Sequence, residues 1–262
     1  MLARRVRLSI LELVYTSGSG HVGAALSQAD ILCALYGHYL RVEAARPDWP
    51  ERDRFVLSKG HGGLGLVPLL VERGFLEQGE LATFGETGAR LGMHMDHRRV
   101  PGIEVSSGSL GHGLGVATGI ALGLRLAGLP GRVVCLLSDG ECYEGSTWEA
   151  ALCASAQRLT RLVAVVDRNR MTMDGPTERE VPLEPLADKW RAFGFRALTC
   201  DGHDFVSLCA AFDEAFDEQA PTVVIAETIK GKGVDFMEGQ PAWHYGSLDS
   251  EMYARAVASV SR

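Results

Sequence analysis

Four strand-length apolar runs, each halted by a short polar segment rich in glycine or charge, constrain this chain more than any other feature. They are Arg54–Leu57, Val133–Leu137, Leu162–Val166 and Val223–Ala226, with Ser58–Gly62, Ser138–Gly145, Asp167–Met171 and Lys230–Gly233 at or close after their ends. Stretches with helical apolar spacing separate them: 4–16, 28–41, 63–73, 112–127, 146–158 and 204–218. Ser146 with Glu149 reads as a capping box, and Asp204 as the cap of the last helix. Strands that lack polar alternation must be covered on both faces, so the pattern predicts an α/β fold, a mostly parallel sheet with helices on both faces. Residues 1–262 show no repeat or linker, and the proline-bearing stretch 172–187 reads as one loop, so a single domain is expected. Ligands of such sheets bind beyond the carboxyl ends of the strands, which is where the four polar segments fall.

Composition narrows the function. Lys and Arg number 26 against 33 Asp and Glu, a net charge of −7 that speaks against a nucleic-acid binder. No apolar run reaches the ~18–20 residues of a membrane span. The basic start Met1-Leu-Ala-Arg-Arg is not followed by a leader-like apolar region, because Glu12 interrupts it. Six cysteines lack paired spacing and sit mostly in apolar stretches, as reduced thiols of a cytoplasmic protein would. Glycine is enriched, at 31 of 262 residues, and clusters beside histidines.

Asp139 closes the second run and precedes Gly140, whose missing side chain would let a phosphate approach the backbone. Asn169 closes the next run, thirty residues later. A carboxylate and a carboxamide oxygen suit Mg²⁺ that shares phosphate oxygens, and a βαβ unit brings two such strand ends together. Taken alone, Asp-Gly is also a common turn and Asn a common loop residue. Glu141 and Glu144 could serve the ligand, or simply the dipole of the helix that follows.

The wider pattern resolves these alternatives through resemblance. Ser138-Asp-Gly-Glu-Cys-Tyr-Glu-Gly145, followed by Asp167-Arg-Asn-Arg-Met171, resembles the thiamine-diphosphate motif, and specifically that of the N-terminal half of transketolase in its two-chain form. Ser19-Gly-His-Val-Gly23, Leu57-Ser-Lys-Gly-His61, Glu104–Gly113 and Glu227–Gly233 with Trp243-His244 match further family segments in the same order. Ser138 and Arg170 stand where the family usually or often has glycine. The resemblance implies the thiamine-diphosphate-binding (PP-domain) fold, with thiamine diphosphate and Mg²⁺ as cofactors. Asp139, the Asn169 side chain and the Met171 carbonyl would be metal ligands. Gly108, Ser109, Leu110, Gly140, Glu141, Glu144, Asn169 and Lys230 would serve the cofactor, with Glu144 joining a carboxylate network across a subunit interface. His21, His61, His94 and His244 would be the catalytic histidines, holding sugar hydroxyls and moving protons. His112 is assigned to packing or helix start, and His38 and His203 to structure. Lys59 reads as a loop lysine, solvated or near a phosphate.

In that family the glutamate that activates the aminopyrimidine comes from the next domain, which this sequence does not contain. The chain is therefore expected to be half an enzyme, joined in an α2β2 assembly to a separate pyrimidine-binding subunit. Its reaction would be transfer of a two-carbon ketol unit from a ketose, usually phosphorylated, to an aldose. The rival enzyme readings are a recruited variant for a specialised sugar or natural product, and a component of a 2-oxo acid decarboxylase or dehydrogenase. A degenerate binding protein would be expected to lose the metal ligands, yet Asp139 and Asn169 are both present.

Overall fold

The computed structural model describes residues 1–261. Its centre is a five-stranded sheet of β1 (Arg54–Leu57), β2 (Val133–Ser138), β3 (Leu162–Arg168), β4 (Arg196–Asp201) and β5 (Thr222–Glu227). The spatial order is β1-β2-β3-β5-β4, and every pairing is parallel. All the carboxyl ends therefore open on one edge.

Helices cover both faces, as the unalternated strands require. One core joins Val134, Leu136, Val163, Val165 and Val224 to α1 (Leu2–Ser17), α2 (Val22–Ser27), α3 (Ala29–Ala34) and α4 (Gly63–Glu72). The intervening strand residues Val133, Cys135, Leu137, Ala164 and Val166 face the other way, against α5 (Gly113–Leu126), α6 (Gly145–Ala156) and a short helical region. That region holds α7 (Thr177–Glu180) and α8 (Leu186–Ala192). Helices α9 (Phe205–Ala215) and α10 (Ser250–Ser261) return to the first face through Phe212 and Ala256. Side chains that alternate between two buried faces are the signature of a sheet enclosed on both sides. Among the described residues no helix is long and apolar enough to cross a membrane.

The structure corrects several local expectations. The predicted helix 28–41 is α3 followed by a single π turn, Leu35–Tyr39. The Ser146–Glu149 capping box does not form: Glu144 occupies the cap of α6, and the Ser146 hydroxyl instead donates to Gly111 O at 3.0 Å. Asp204 does cap α9, accepting from Val206 N and Ser207 N at 3.2 Å each. Strand β3 runs two residues further than its apolar core, carrying Asp167 and Arg168 into the sheet. Strand β4 has no counterpart among the apolar runs, because its polar content fits an edge position that is buried only in part.

Candidate active site

Parallel register puts the four polar segments side by side. Leu57 lies level with Leu136, Ser138 with Asp167, and Arg168 with Glu227. The residues just beyond surround a cavity of about 480 Å³ whose lining includes Lys59, Asp139, Gly140, Asn169, Lys230 and His244.

Asp139 stands at the floor, nearly fully buried. Its Oδ1 accepts from Gly140 N at 2.9 Å, and its Oδ2 accepts from Arg170 N at 2.6 Å and Arg168 at 3.2 Å. Desolvation, reinforced by the Asp167 carboxylate, pushes its pKa up to about 6 against the pull of Arg168. The pairing with Arg168 does not offset that desolvation, which leaves the carboxylate with capacity for a further cation. Asn169 Oδ1 turns to Met171 N at 3.1 Å, and Met171 lines the cavity. One carboxylate, one amide oxygen and a nearby backbone carbonyl make a hard-oxygen set of the kind Mg²⁺ takes together with phosphate oxygens. Among the described residues no three His, Cys, Asp or Glu side chains are arranged to hold a metal unaided, so water or a ligand's phosphate oxygens would complete any such shell. Gly140 leaves room for them: a Cβ there would meet only Ser138 Oγ, at 3.8 Å.

Above the floor three imidazoles converge. The ring centroids of His21 and His61 are 5.1 Å apart, His21 and His244 5.5 Å, and His61 and His244 5.7 Å. Each is placed by backbone. His21 precedes α2, His61 sits in the turn Gly60–Gly62 after β1, and His244 ends the turn Pro241–His244. A two-residue bridge, Gly20 with Gly246, clamps the first and third together through N–H···O bonds of 2.9 and 3.0 Å. Gly60 is glycine because any Cβ would strike Ser107 O at 2.3 Å. All three rings are held neutral: burial lowers each pKa first, assisted by Lys59 at His61 and by Lys230 at His244, which falls to about 4. His21 Nδ1 is buried without a hydrogen-bond partner among the described residues, a group awaiting a ligand rather than a neighbour. His94 stands apart, exposed on the rim at 6.5 Å from His21.

Lys230 donates to Thr172 O at 2.7 Å and meets His244 Nδ1 at 3.0 Å, while burial lowers its pKa to about 8, leaving it cationic at neutral pH. Leu110 lines the cavity; Gly108 and Ser109 are exposed beside it, Gly108 packing near the His94 ring. Glu144 is exposed at the start of α6. Glu141 departs from its expected place against the cofactor. Its carboxylate is fully buried and turned inward, accepting from Ser58 Oγ, from Gly111 N at 3.0 Å and from Ser138 N at 3.0 Å. It fastens the ends of β1 and β2 to the glycine-rich turn.

Sequence reasoning missed a charged layer beneath the cavity. Lys59 is fully buried and paired with Asp167, which also accepts from Ser27 at 2.6 Å and from Thr228. The available signal was position: a carboxylate that continues a wholly apolar strand needs a buried cation, and the only lysine in the first strand-end segment is Lys59. His112 sits at the start of α5, and His203 binds Asp30 at 2.8 Å, both in the structural roles expected. His38 is exposed and packs edge-on to Tyr39 at 4.9 Å.

The family model "Transketolase, thiamine diphosphate binding domain" matches residues 1–257, nearly the entire chain. The chain belongs to the transketolase family. Within it, the chain is 42% identical to the 6-deoxy-6-sulfo-D-fructose transketolase subunit SqwG of a Clostridium species, covering 99% of this chain and 95% of that protein. It is 40% identical to an apulose-4-phosphate transketolase subunit from Phocaeicola vulgatus, over 97% and 91% of the two chains. The crystal structure of Campylobacter jejuni transketolase superposes with a TM-score of 0.94 at 28% identity, covering 99% of this chain and 42% of that one. This transketolase-family chain thus spans about two-fifths of the single-chain enzyme and nearly all of the relatives named as subunits. It is an enzyme subunit of transketolase type, and thiamine diphosphate is the cofactor of its domain.

Proposed function

We propose that this chain is the diphosphate-side subunit of a two-chain transketolase, assembled as α2β2 with a separate pyrimidine-binding subunit. It transfers a two-carbon ketol unit from an anionic ketose to an aldose. The observation that carries this reading is the convergence of His21, His61 and His244, 5.1–5.7 Å apart, above strand ends bearing Asp139 and Asn169. The relatives of similar length support the split and the substrate class, since both are named as subunits and for a sulfo- or phospho-sugar. Six free cysteines suit a reducing cytoplasmic setting.

Each residue then has a task. Asp139, Asn169 Oδ1 and the Met171 carbonyl would hold Mg²⁺, with Gly140 admitting the diphosphate and Lys230 opposing its charge. Thiamine diphosphate supplies, when bound, a nucleophilic carbon and an electron sink for the ketol carbons. Neutral His21, His61 and His244 accept hydrogen bonds from sugar hydroxyls, take a proton as a hydroxyl becomes a carbonyl, and return it to the acceptor's new alkoxide. Burial keeps competing water from these transfers. Leu110, with Gly108 and Ser109, flanks the aminopyrimidine side; His94 reaches the substrate from the rim; Glu144 meets the partner.

Calorimetric titration of thiamine diphosphate with Mg²⁺ into the assembled enzyme tests the floor of the site. Asp139→Ala is expected to weaken binding by at least about a hundredfold, the loss of a charged ligand worth ~3 kcal/mol. Unchanged affinity would overturn the assignment.

A further inference from the structure

One buried cation lies behind the cavity rather than in it. The geometry points to Arg168 as a positioning residue that holds the Asp139 carboxylate and the 172–184 wall of the cavity in one fixed relation. This rests on the proposed role of Asp139 as a metal ligand.

Arg168 ends β3 and its side chain is wholly buried. One terminal nitrogen, Nη1, donates to Asp139 Oδ2 at 3.2 Å and to Thr177 Oγ1 at 2.8 Å. The other, Nη2, donates to Glu178 at 2.7 Å and to Glu184 at 3.0 Å. One guanidinium therefore joins the floor of the site to three residues of the loop that walls it. Those acceptors are themselves anchors. Glu178 gathers the backbone N–H groups of Leu183 and Glu184, at 3.2 and 3.4 Å, and Glu184 accepts from Leu186 N at 2.9 Å. The loop's return limb is thereby folded onto the arginine, while Lys230 ties the outgoing limb through Thr172 O. Between these ties lie Met173, Asp174, Glu180 and Val181, all lining the cavity.

The charges explain why one residue can serve both places. Asp139 alone would leave the guanidinium dependent on a group that a metal also claims. Glu178 and Glu184 supply two further carboxylates, each partly open to water at 35% and 44% side-chain exposure, so Arg168 stays compensated without Asp139. A planar fork that reaches four acceptors on two elements is a task for arginine; a lysine's single ammonium supplies the charge but not the span.

The test compares the wild-type assembly with Arg168→Met, Arg168→Lys and Glu184→Gln. Mn²⁺ serves as the metal probe, titrated by electron paramagnetic resonance with thiamine diphosphate present, and hydrogen exchange is followed across 172–184. Arg168→Met is expected to weaken Mn²⁺ about tenfold or more, as loss of a group supporting a metal ligand does, and to speed exchange across the wall. Arg168→Lys should recover part of the affinity yet leave the wall fast. Glu184→Gln, which keeps the Asp139 contact, should speed exchange with a smaller loss of affinity, and it preserves the test if Arg168→Met does not fold. Unchanged affinity and exchange in a folded Arg168→Met assembly would overturn the proposal, as would a loosened wall with full Mn²⁺ affinity. A wild-type assembly that binds no Mn²⁺ would instead overturn the metal-ligand reading of Asp139.

Discussion

His61 and His244 are neutral for a stated reason: burial comes first, and the ammonium groups of Lys59 and Lys230 add to it. Their folded pKa values lie below the ordinary histidine value of 6.5, with His244 at about 4, so the unfolded chain binds more protons between those limits. Stability should therefore be full above pH ~6.5 and fall as the pH drops from there towards 4. Scanning calorimetry across that window should show a shallower decline for His244→Asn than for wild type; an identical slope would refute it. Lys59 makes the opposite kind of residue-scale point. From the sequence it is a lysine in a polar loop, where substitutions usually cost within about 0.5 kcal/mol. In the structure it is the buried partner of Asp167, so Lys59→Met should cost about 3–5 kcal/mol in urea denaturation, the penalty of an uncompensated buried charge. The histidines were legible because their glycine-flanked motifs are local in sequence. Lys59, Asp167 and Arg168 were not, because their meaning lies in partners up to 140 positions away.

At the scale of elements, strands β1, β2, β3 and β5 were readable, since a strand covered on both faces leaves an uninterrupted apolar run. Strand β4 at the edge carries Arg196, Thr199 and Asp201 and leaves no such trace. The start of α6 failed for a related reason. Ser146 and Glu149 have capping-box spacing, but tertiary contact redirects the Ser146 hydroxyl to Gly111, across the site. That contact belongs to a tight junction between the glycine-rich turn and the strand ends. Gly111 holds φ +81°, and Gly113 packs so closely that a Cβ would lie 2.2 Å from Ser58 Oγ and 2.6 Å from its Cα. Gly113→Ala should accordingly lower stability by about 1–3 kcal/mol, an overpacking cost, and shift the thermal midpoint down by several degrees. A midpoint at the wild-type value would mean that the junction yields more easily than its geometry indicates.

For the whole molecule, the parallel sheet explains why one edge carries all of the chemistry. Four of the five parallel strands, β1, β2, β3 and β5, deliver Lys59, Asp139, Asn169 and Lys230 to a single cavity, and the Gly20–Gly246 bridge brings in a histidine from each end of the chain. The inward turn of Glu141 shows that proximity to the motif does not by itself make a residue part of the site. In the proposed enzyme this chain would contribute the metal and diphosphate floor and the histidine canopy, and the partner the group that activates the cofactor. The most direct test of that division is to isolate the tagged chain from its source cells, weigh the native assembly by mass spectrometry with thiamine diphosphate and Mg²⁺ present, and assay ketol transfer by the chain alone and by the assembly. The account predicts a second chain in 2:2 stoichiometry, cofactor that is lost in Asp139→Ala, and turnover by the assembly only. A cofactor-free homo-oligomer, or full turnover by the isolated chain, would contradict it.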